Sequence, residues 1–269
     1  MFTISALADE ISPEPKRQVD VLLACGIRHV ELRSIHGINV LDLSDQQVAD
    51  FQALLERNEM TLSAIASPIG KTRIDEPLEP QLARLDRAIA LAKRFGTPNI
   101  RIFSFYPPDG GAAVDWSKHR HEILDRLRRF ADVAGQAGVR LLHENEHRIY
   151  GDSPERVADL LNEIPGPAFA AVYDPANFVF CGYDPWDGWL KCRDRVAHFH
   201  IKDWKAGEPH GCLPGTGDGR IADVLRDAAA RGFDGFCTLE PHLLGGGPTG
   251  GVTGPDLFPK AVEALRGIL

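Results

Sequence analysis

The chain has 269 residues, 43% of them hydrophobic and 25% charged, a balance that excludes intrinsic disorder and supplies enough apolar material for a full core. Thirty Lys and Arg face 38 Asp and Glu, a net charge of −8; this field repels nucleic-acid backbones, and no local basic cluster offsets it. No run approaches the ~18 consecutive apolar residues that a membrane span requires, so neither nucleic acid nor a membrane is expected as a partner.

In chain order, the start (Met1 to Glu10) lacks a basic leader segment and turns acidic at Asp9 and Glu10, which reads as a cytoplasmic protein. Short β-branched or apolar runs then alternate with segments of helical periodicity along the whole chain. A strand over Phe2–Ala8 precedes a helix over Pro13–Cys25, and a strand over Arg28–Leu32 precedes a helix over Asp45–Asn58. Thr61–Ala66 and Leu78–Phe95, Asn99–Phe103 and Ser117–Ala137, and Val139–Glu144 and Pro154–Glu163 form the next three pairs. Phe169–Tyr173 and Trp186–Cys192, Val196–Ile201 and Ile221–Arg231, and Phe236–Glu240 and Pro255–Ile268 complete the series. Gly96 and Gly138 mark helix ends, where a left-handed residue is favoured.

Eight strand–helix units without a linker predict an α/β chain folded as one (β/α)8 TIM barrel over residues 1–269. An open doubly wound sheet would place a Gly-rich phosphate turn after an early strand; the glycine clusters Gly245–Gly247 and Gly250–Gly251 follow the last strand instead. The five cysteines, Cys25, Cys181, Cys192, Cys212 and Cys237, are odd in number and form no Cys-x-x-Cys pair, which reads as reduced thiols.

Barrel chemistry is built at the C-terminal ends of the strands. Those ends carry Asp9 and Glu10, then Glu31 and Arg33, then Ser67, and in the second half Glu144, Asp174, His200 with Lys202, and Glu240. Three carboxylates and one imidazole on four successive strand ends suit one hard or borderline divalent ion. Without a cation the carboxylates would repel one another, so Glu144, Asp174, His200 and Glu240 are the expected ligands. Strand alternation turns His198 to the same face as His200 one layer deeper, and His143 to the face opposite Glu144, as a satisfied structural histidine. His147, His210 and His242 fall in loops and read as solvent-exposed.

The motifs Val-Arg-Leu-Leu-His-Glu-Asn (139–145), Tyr-Asp-Pro-Ala-Asn (173–177), His-Phe-His-Ile-Lys-Asp (198–203), Pro-Gly-Thr-Gly-Asp-Gly (214–219) and Thr-Leu-Glu-Pro (238–241) resemble the sugar phosphate isomerase/epimerase superfamily of xylose isomerase-like barrels. The resemblance implies one metal ion, Mn²⁺ foremost with Mg²⁺, Co²⁺ or Zn²⁺ as alternatives, on Glu144, Asp174, His200 and Glu240. It also implies that Glu144 and Glu240 act as a catalytic acid/base pair through an enediolate of a small sugar, keto-sugar or polyol, and that the chain assembles as a homo-oligomer. Asn177, His198, Lys202, Glu31 and Ser67 are the expected substrate contacts, with Arg33, His36, Phe105, Tyr106 and Trp116 as further candidates on the early loops. Lys202 either stabilises oxyanion character or pairs with its neighbour Asp203.

Ketose 3-epimerases carry a histidine where this chain has Asn177, a neutral amide that bonds a hydroxyl but cannot become cationic. Apurinic-site endonucleases of this fold need a histidine there and an aspartate at the position of His198, so the pattern argues against DNA repair. A lyase resembling inosose dehydratases or enzymes that eliminate from 3-keto-sugars, and a sugar-binding barrel without turnover, are the two alternatives.

Overall fold

The computed structural model describes residues 1–108, 114–246 and 250–269; of the glycine clusters after the last strand, Gly247 lies outside these. Eight strands close into a parallel barrel: β1 (Phe2–Ala6), β2 (His29–Leu32), β3 (Thr61–Ala66), β4 (Asn99–Ile102), β5 (Arg140–Glu144), β6 (Phe169–Tyr173), β7 (Val196–Ile201) and β8 (Gly235–Leu239). Each strand pairs with its sequence neighbours, and β8 returns to β1 through Phe2–Gly235 to Ala6–Leu239. The predicted eight-strand order is therefore the observed one, with no sheet edge left unpaired.

Helices α1 (Pro15–Ala24), α2 (Asp45–Arg57), α3 (Glu79–Phe95), α4 (Arg120–Ala137) and α5 (Pro154–Glu163) follow β1 to β5. Helices α6 (Pro175–Phe180) and α7 (Pro185–Cys192) follow β6, α8 (Ile221–Ala230) follows β7 and α9 (Phe258–Arg266) follows β8. Helix α6 was not foreseen. It starts directly after β6 because the Asp174 side chain accepts the Asn177 N–H as an N-cap and Pro175 occupies the first helical position. The predicted first strand ran two residues too far, since Ala8–Glu10 form a 3₁₀ turn. Helix α4 begins three residues late because Trp116–Lys118 form their own short turn, capped by Asp115.

Apolar side chains from the outer strand faces and inner helix faces form one large layer around the barrel. A separate small apolar set, Leu142, Ala170 and Val172, lies on the strand faces that also carry Glu144 and Asp174, which places it inside the barrel. The rest of the interior is unusually polar: Ser5, Ser63, Asn99, Arg101, His198 and Thr238 are all buried there. Two antiparallel hairpins, Ser34–Ile35 with Ile38–Asn39 and Asp203–Trp204 with Gly211–Cys212, decorate the C-terminal mouth.

The Pro-Gly-Thr-Gly-Asp-Gly segment wraps around Asp203. Its carboxylate accepts the backbone N–H groups of Trp204 (2.9 Å), Gly215 (2.8 Å), Gly217 (2.9 Å) and Gly219 (3.0 Å). A Cβ on Gly217 would sit 2.4 Å from Asp203 Oδ1, so only glycine permits this clamp.

His143 faces the helix layer, as alternation predicts, but it is not satisfied. It is fully buried, stacks on Phe169 at 6.2 Å between ring centres, and neither ring nitrogen meets a hydrogen-bond partner among the described residues. Burial pushes its pKa down to about 3, so the folded protein holds it neutral while the unfolded chain protonates near 6.5. This contribution to stability is complete above pH ~6.5 and is lost as pH falls towards 3, reaching about 5 kcal/mol by linkage. His143→Leu should flatten the pH dependence of urea unfolding between pH 6.5 and 4 relative to the unsubstituted protein; parallel curves would contradict this.

Candidate metal and catalytic site

The C-terminal ends of β5 to β8 deliver Glu144, Asp174, His200 and Glu240 to one buried point, with one ligand atom from each residue within 4.8 Å of all the others. All four are at most 3% exposed. Glu144 Oε1 lies 3.1 Å from His200 Nδ1, and Glu240 Oε2 lies 3.4 Å from the same nitrogen. The residues that sequence analysis named as ligands are thus brought together.

The surrounding cations are arranged one per carboxylate. Arg101 Nη1 is 3.2 Å from Glu144 Oε2, Arg33 Nη1 is 2.6 Å from Glu240 Oε1, and Lys202 Nζ is 2.8 Å from Asp174 Oδ2. Lys202 therefore pairs with Asp174 and not with Asp203, because consecutive strand residues point to opposite faces. It also comes within 3.9 Å of Glu240. Burial would raise the Glu144 carboxyl, but His200 and Arg101 outweigh it and hold the group down at about 2. Burial likewise fails to raise Glu240, which Lys202, His200 and His242 keep well below the usual range. Asp174 is the exception: burial, with Glu144 and Glu240 facing it, pushes it up to about 6 although Lys202 pulls the other way. Burial is the largest cause of that rise, and the mutual repulsion of the three carboxylates adds to it.

The donor set fits a divalent cation. Among the described residues, Glu240 Oε2 is buried and accepts no aligned hydrogen bond, and Asp174 Oδ2 has an ion pair with Lys202 but no aligned hydrogen bond. Three carboxylates and an imidazole nitrogen converging on such atoms are hard and borderline donors, with no thiolate among them.

The expected substrate contacts divide into two groups. Asn177 stands at the site: its Nδ2 donates to the Asn145 carbonyl at 2.8 Å and reaches Glu144 Oε1 at 3.5 Å, while its buried Oδ1 has no partner among the described residues. Lys202 is there as well. Glu31, His198 and Ser67 are not at the open mouth. Glu31 and His198 lie fully buried beneath His200, with Glu31 Oε1 3.0 Å from His200 Nε2 and Glu31 Oε2 2.9 Å from His198 Nε2. The Ser67 hydroxyl donates to the Arg101 carbonyl at 2.5 Å, so its oxygen serves the backbone.

Among the loop candidates, Arg33 bridges Asp9 (2.7 Å) and Glu240, and buried Phe105 packs on Phe130 in the outer layer. His36 lies in a groove beside α1 and α2, whereas Trp116 lines a cavity of about 410 Å³ with His147, Arg148, Phe180, Cys181 and Tyr183. His242 is not exposed. It is fully buried, 3.0 Å from Glu10 Oε1 and 3.2 Å from Glu240 Oε1, and the neighbouring carboxylates raise it to about 9 in spite of burial.

Sequence analysis missed Arg101 and Asn145. Arg101 sits inside a strand, where alternation with Asn99 was the only sign that it points inward. Asn145 bonds Asp174 twice, accepting its N–H at 3.0 Å and donating to its carbonyl at 2.8 Å, and so locks the ends of β5 and β6 together.

The chain and its fold are similar to known proteins. A fructoselysine 3-epimerase from Escherichia coli O157:H7 is 29% identical over 80 residues, which is 29% of this chain and 27% of that protein. The probable 3-DHS dehydratase AsbF, involved in petrobactin synthesis in Bacillus anthracis, superposes with a TM-score of 0.76 at 18% identity, covering 99% of both chains. A xylose isomerase-like TIM barrel protein from Mycobacterium smegmatis in complex with magnesium has a TM-score of 0.76 at 17% identity, covering 99% of this chain and 95% of that one. These two structures share the fold. The family model for the xylose isomerase-like TIM barrel matches residues 19–267, and the chain belongs to that family.

Proposed function

We propose that the protein is a divalent-cation-dependent isomerase or epimerase of a small sugar, keto-sugar or sugar-like polyol, in which Glu144 and Glu240 carry a proton on and off the carbon beside a carbonyl. The observation that carries this reading is the convergence of Glu144, Asp174, His200 and Glu240 within 4.8 Å at the buried mouth of the barrel. A cation held there, Mn²⁺ foremost among Mn²⁺, Mg²⁺, Co²⁺ and Zn²⁺, supplies Lewis acidity towards a carbonyl and its neighbouring hydroxyl. That one relative is a fructoselysine 3-epimerase and one structural neighbour a probable 3-DHS dehydratase supports an epimerase, with a lyase as the alternative.

The chain's own residues account for the proton movements. Glu144 and Glu240 come from strands three apart around the barrel, so they approach a substrate from different sides. Each is ionised, and each has one oxygen anchored by an arginine, Arg101 or Arg33. One carboxylate can take the proton from carbon as base, and the opposite one, after taking a proton of its own from water, can deliver it to the other face as acid, the first then giving its proton back to solvent. The Lys202 ammonium, buried between Asp174 and Glu240, balances negative charge on the enediolate oxygen. The partnerless Asn177 Oδ1 accepts a hydrogen bond from a sugar hydroxyl. No described helix is long and apolar enough to cross a membrane. The five unpaired cysteines support a reducing, cytoplasmic setting.

With Mn²⁺ bound, keto-sugars incubated in D₂O should take up deuterium at the carbon next to the carbonyl. Glu240→Gln should slow that exchange by a factor on the order of 10²–10⁴, the range for losing a general acid or base, with the fold intact by circular dichroism. An unaffected variant would contradict the assignment. Elimination in place of a rearranged sugar would assign the same enediolate to the lyase alternative.

Cation loading should also depend on pH. Burial lowers the His200 pKa, but Glu144 and Glu31 outweigh it and hold the imidazolium well above its usual range, so a cation on Nδ1 must displace a proton. Calorimetry at pH 7 in buffers of different ionisation heat should show release of about one proton per Mn²⁺, with affinity falling as pH is lowered. Affinity that rises on acidification would overturn the ligand role of His200.

A further inference from the structure

We propose that Glu31 is a positioning residue, which accepts the Nε2 proton of His200 and so presents the Nδ1 lone pair to the centre formed with Glu144, Asp174 and Glu240. This rests on the four-ligand reading given above. Glu31 and His200 stand on β2 and β7, which are separated in the sheet by β1 and β8, so the contact crosses the barrel interior. The register between β2 and β3 slips by one residue at Val30–Glu31, an irregularity of the kind that re-aims a side chain at functional sites.

Three features of the geometry point to this role. Glu31 is fully buried, and among the described residues its carboxylate approaches only imidazoles: Oε1 lies 3.0 Å from His200 Nε2, and Oε2 lies 2.9 Å from His198 Nε2. A carboxylate withdrawn from water without a matching charge is costly, and no Lys or Arg approaches this one among the described residues. Both nitrogens of His200 also face carboxylates, Nε2 towards Glu31 and Nδ1 towards Glu144 at 3.1 Å. With a cation on the Nδ1 side, the single ring proton sits on Nε2 and points at Glu31, so the cation's charge reaches Glu31 through the ring. Ligating histidines are commonly oriented in this way by a carboxylate behind them. His198 Nε2 hydrogen-bonds Thr238 Oγ1 at 2.7 Å and lies against the second oxygen of Glu31, which meets no aligned hydrogen-bond partner among the described residues. The pair is thus too deep to touch substrate and is placed to fix a ligand.

The test compares Mn²⁺ affinity, measured by chelator competition on the folded protein, for the unsubstituted chain, Glu31→Gln and Glu31→Leu. Glu31→Gln keeps an acceptor for His200 and should weaken binding about 10-fold, while Glu31→Leu should weaken it about 100-fold, the span expected for losing such a partner. Unchanged affinity with only a lower melting temperature for the metal-free variants would reduce Glu31 to a structural residue and overturn the proposal. Absence of Mn²⁺ binding by the unsubstituted protein would overturn the four-ligand reading together with it. Should Glu31→Leu fail to fold, long-range ¹H–¹⁵N spectra of the Zn²⁺-loaded unsubstituted protein still decide. They should show His200 protonated at Nε2, and a proton at Nδ1 would refute the assignment.

Discussion

Three carboxylates, those of Glu144, Asp174 and Glu240, place oxygens within 4.8 Å of one another in a mouth that is almost closed to solvent. Two like charges 4 Å apart at an effective dielectric of 20 repel by about 4 kcal/mol, so three mutual repulsions approach the whole stability of a typical protein. The rest of the site can be understood as a response to that repulsion. Arg101, Arg33 and Lys202 each face one carboxylate, and His200 stands between two of them. Those groups are held in turn by an outer ring: Asp9 on Arg33, Glu31 on His200, and Glu10 with Thr253 on the loop that carries His242. The atoms that converge between these groups, three carboxylate oxygens and one imidazole nitrogen, are donors suited to a divalent ion.

The barrel makes this crowding achievable. Parallel strands all end at the same mouth, so four successive strands can each contribute one side chain while their backbones remain fully paired. Closing hydrogen bonds such as those between Asn145 and Asp174 then keep neighbouring strand ends in step. The Asp203 clamp on Trp204, Gly215, Gly217 and Gly219 fixes the segment following β7 just outside them.

The strands and the four converging residues proposed as ligands were legible because they depend on local patterns: strand alternation, and polar residues stacked at strand ends. Helix α6 and the Asp174 cap on Asn177 went unread, because the same aspartate reads as a strand-end ligand. What could not be read depends on distances across the barrel. Glu31 looks like any strand-end acid until the register slip and the reach across the interior bring it beneath His200. Arg101 and Arg33 look like surface cations until their partners, 43 and 207 residues away, are known. The partnerless nitrogens of His143 were equally hidden, because burial is visible in a sequence pattern and hydrogen-bond geometry is not.

The most direct test of the account is the anomalous scattering of Mn²⁺ in crystals of the protein. A single peak should lie at bonding distance, roughly 2.0–2.3 Å, from oxygens of Glu144, Asp174 and Glu240 and from Nδ1 of His200. A peak bound through His200 Nε2 and Glu31, or no peak at the barrel mouth, would contradict it.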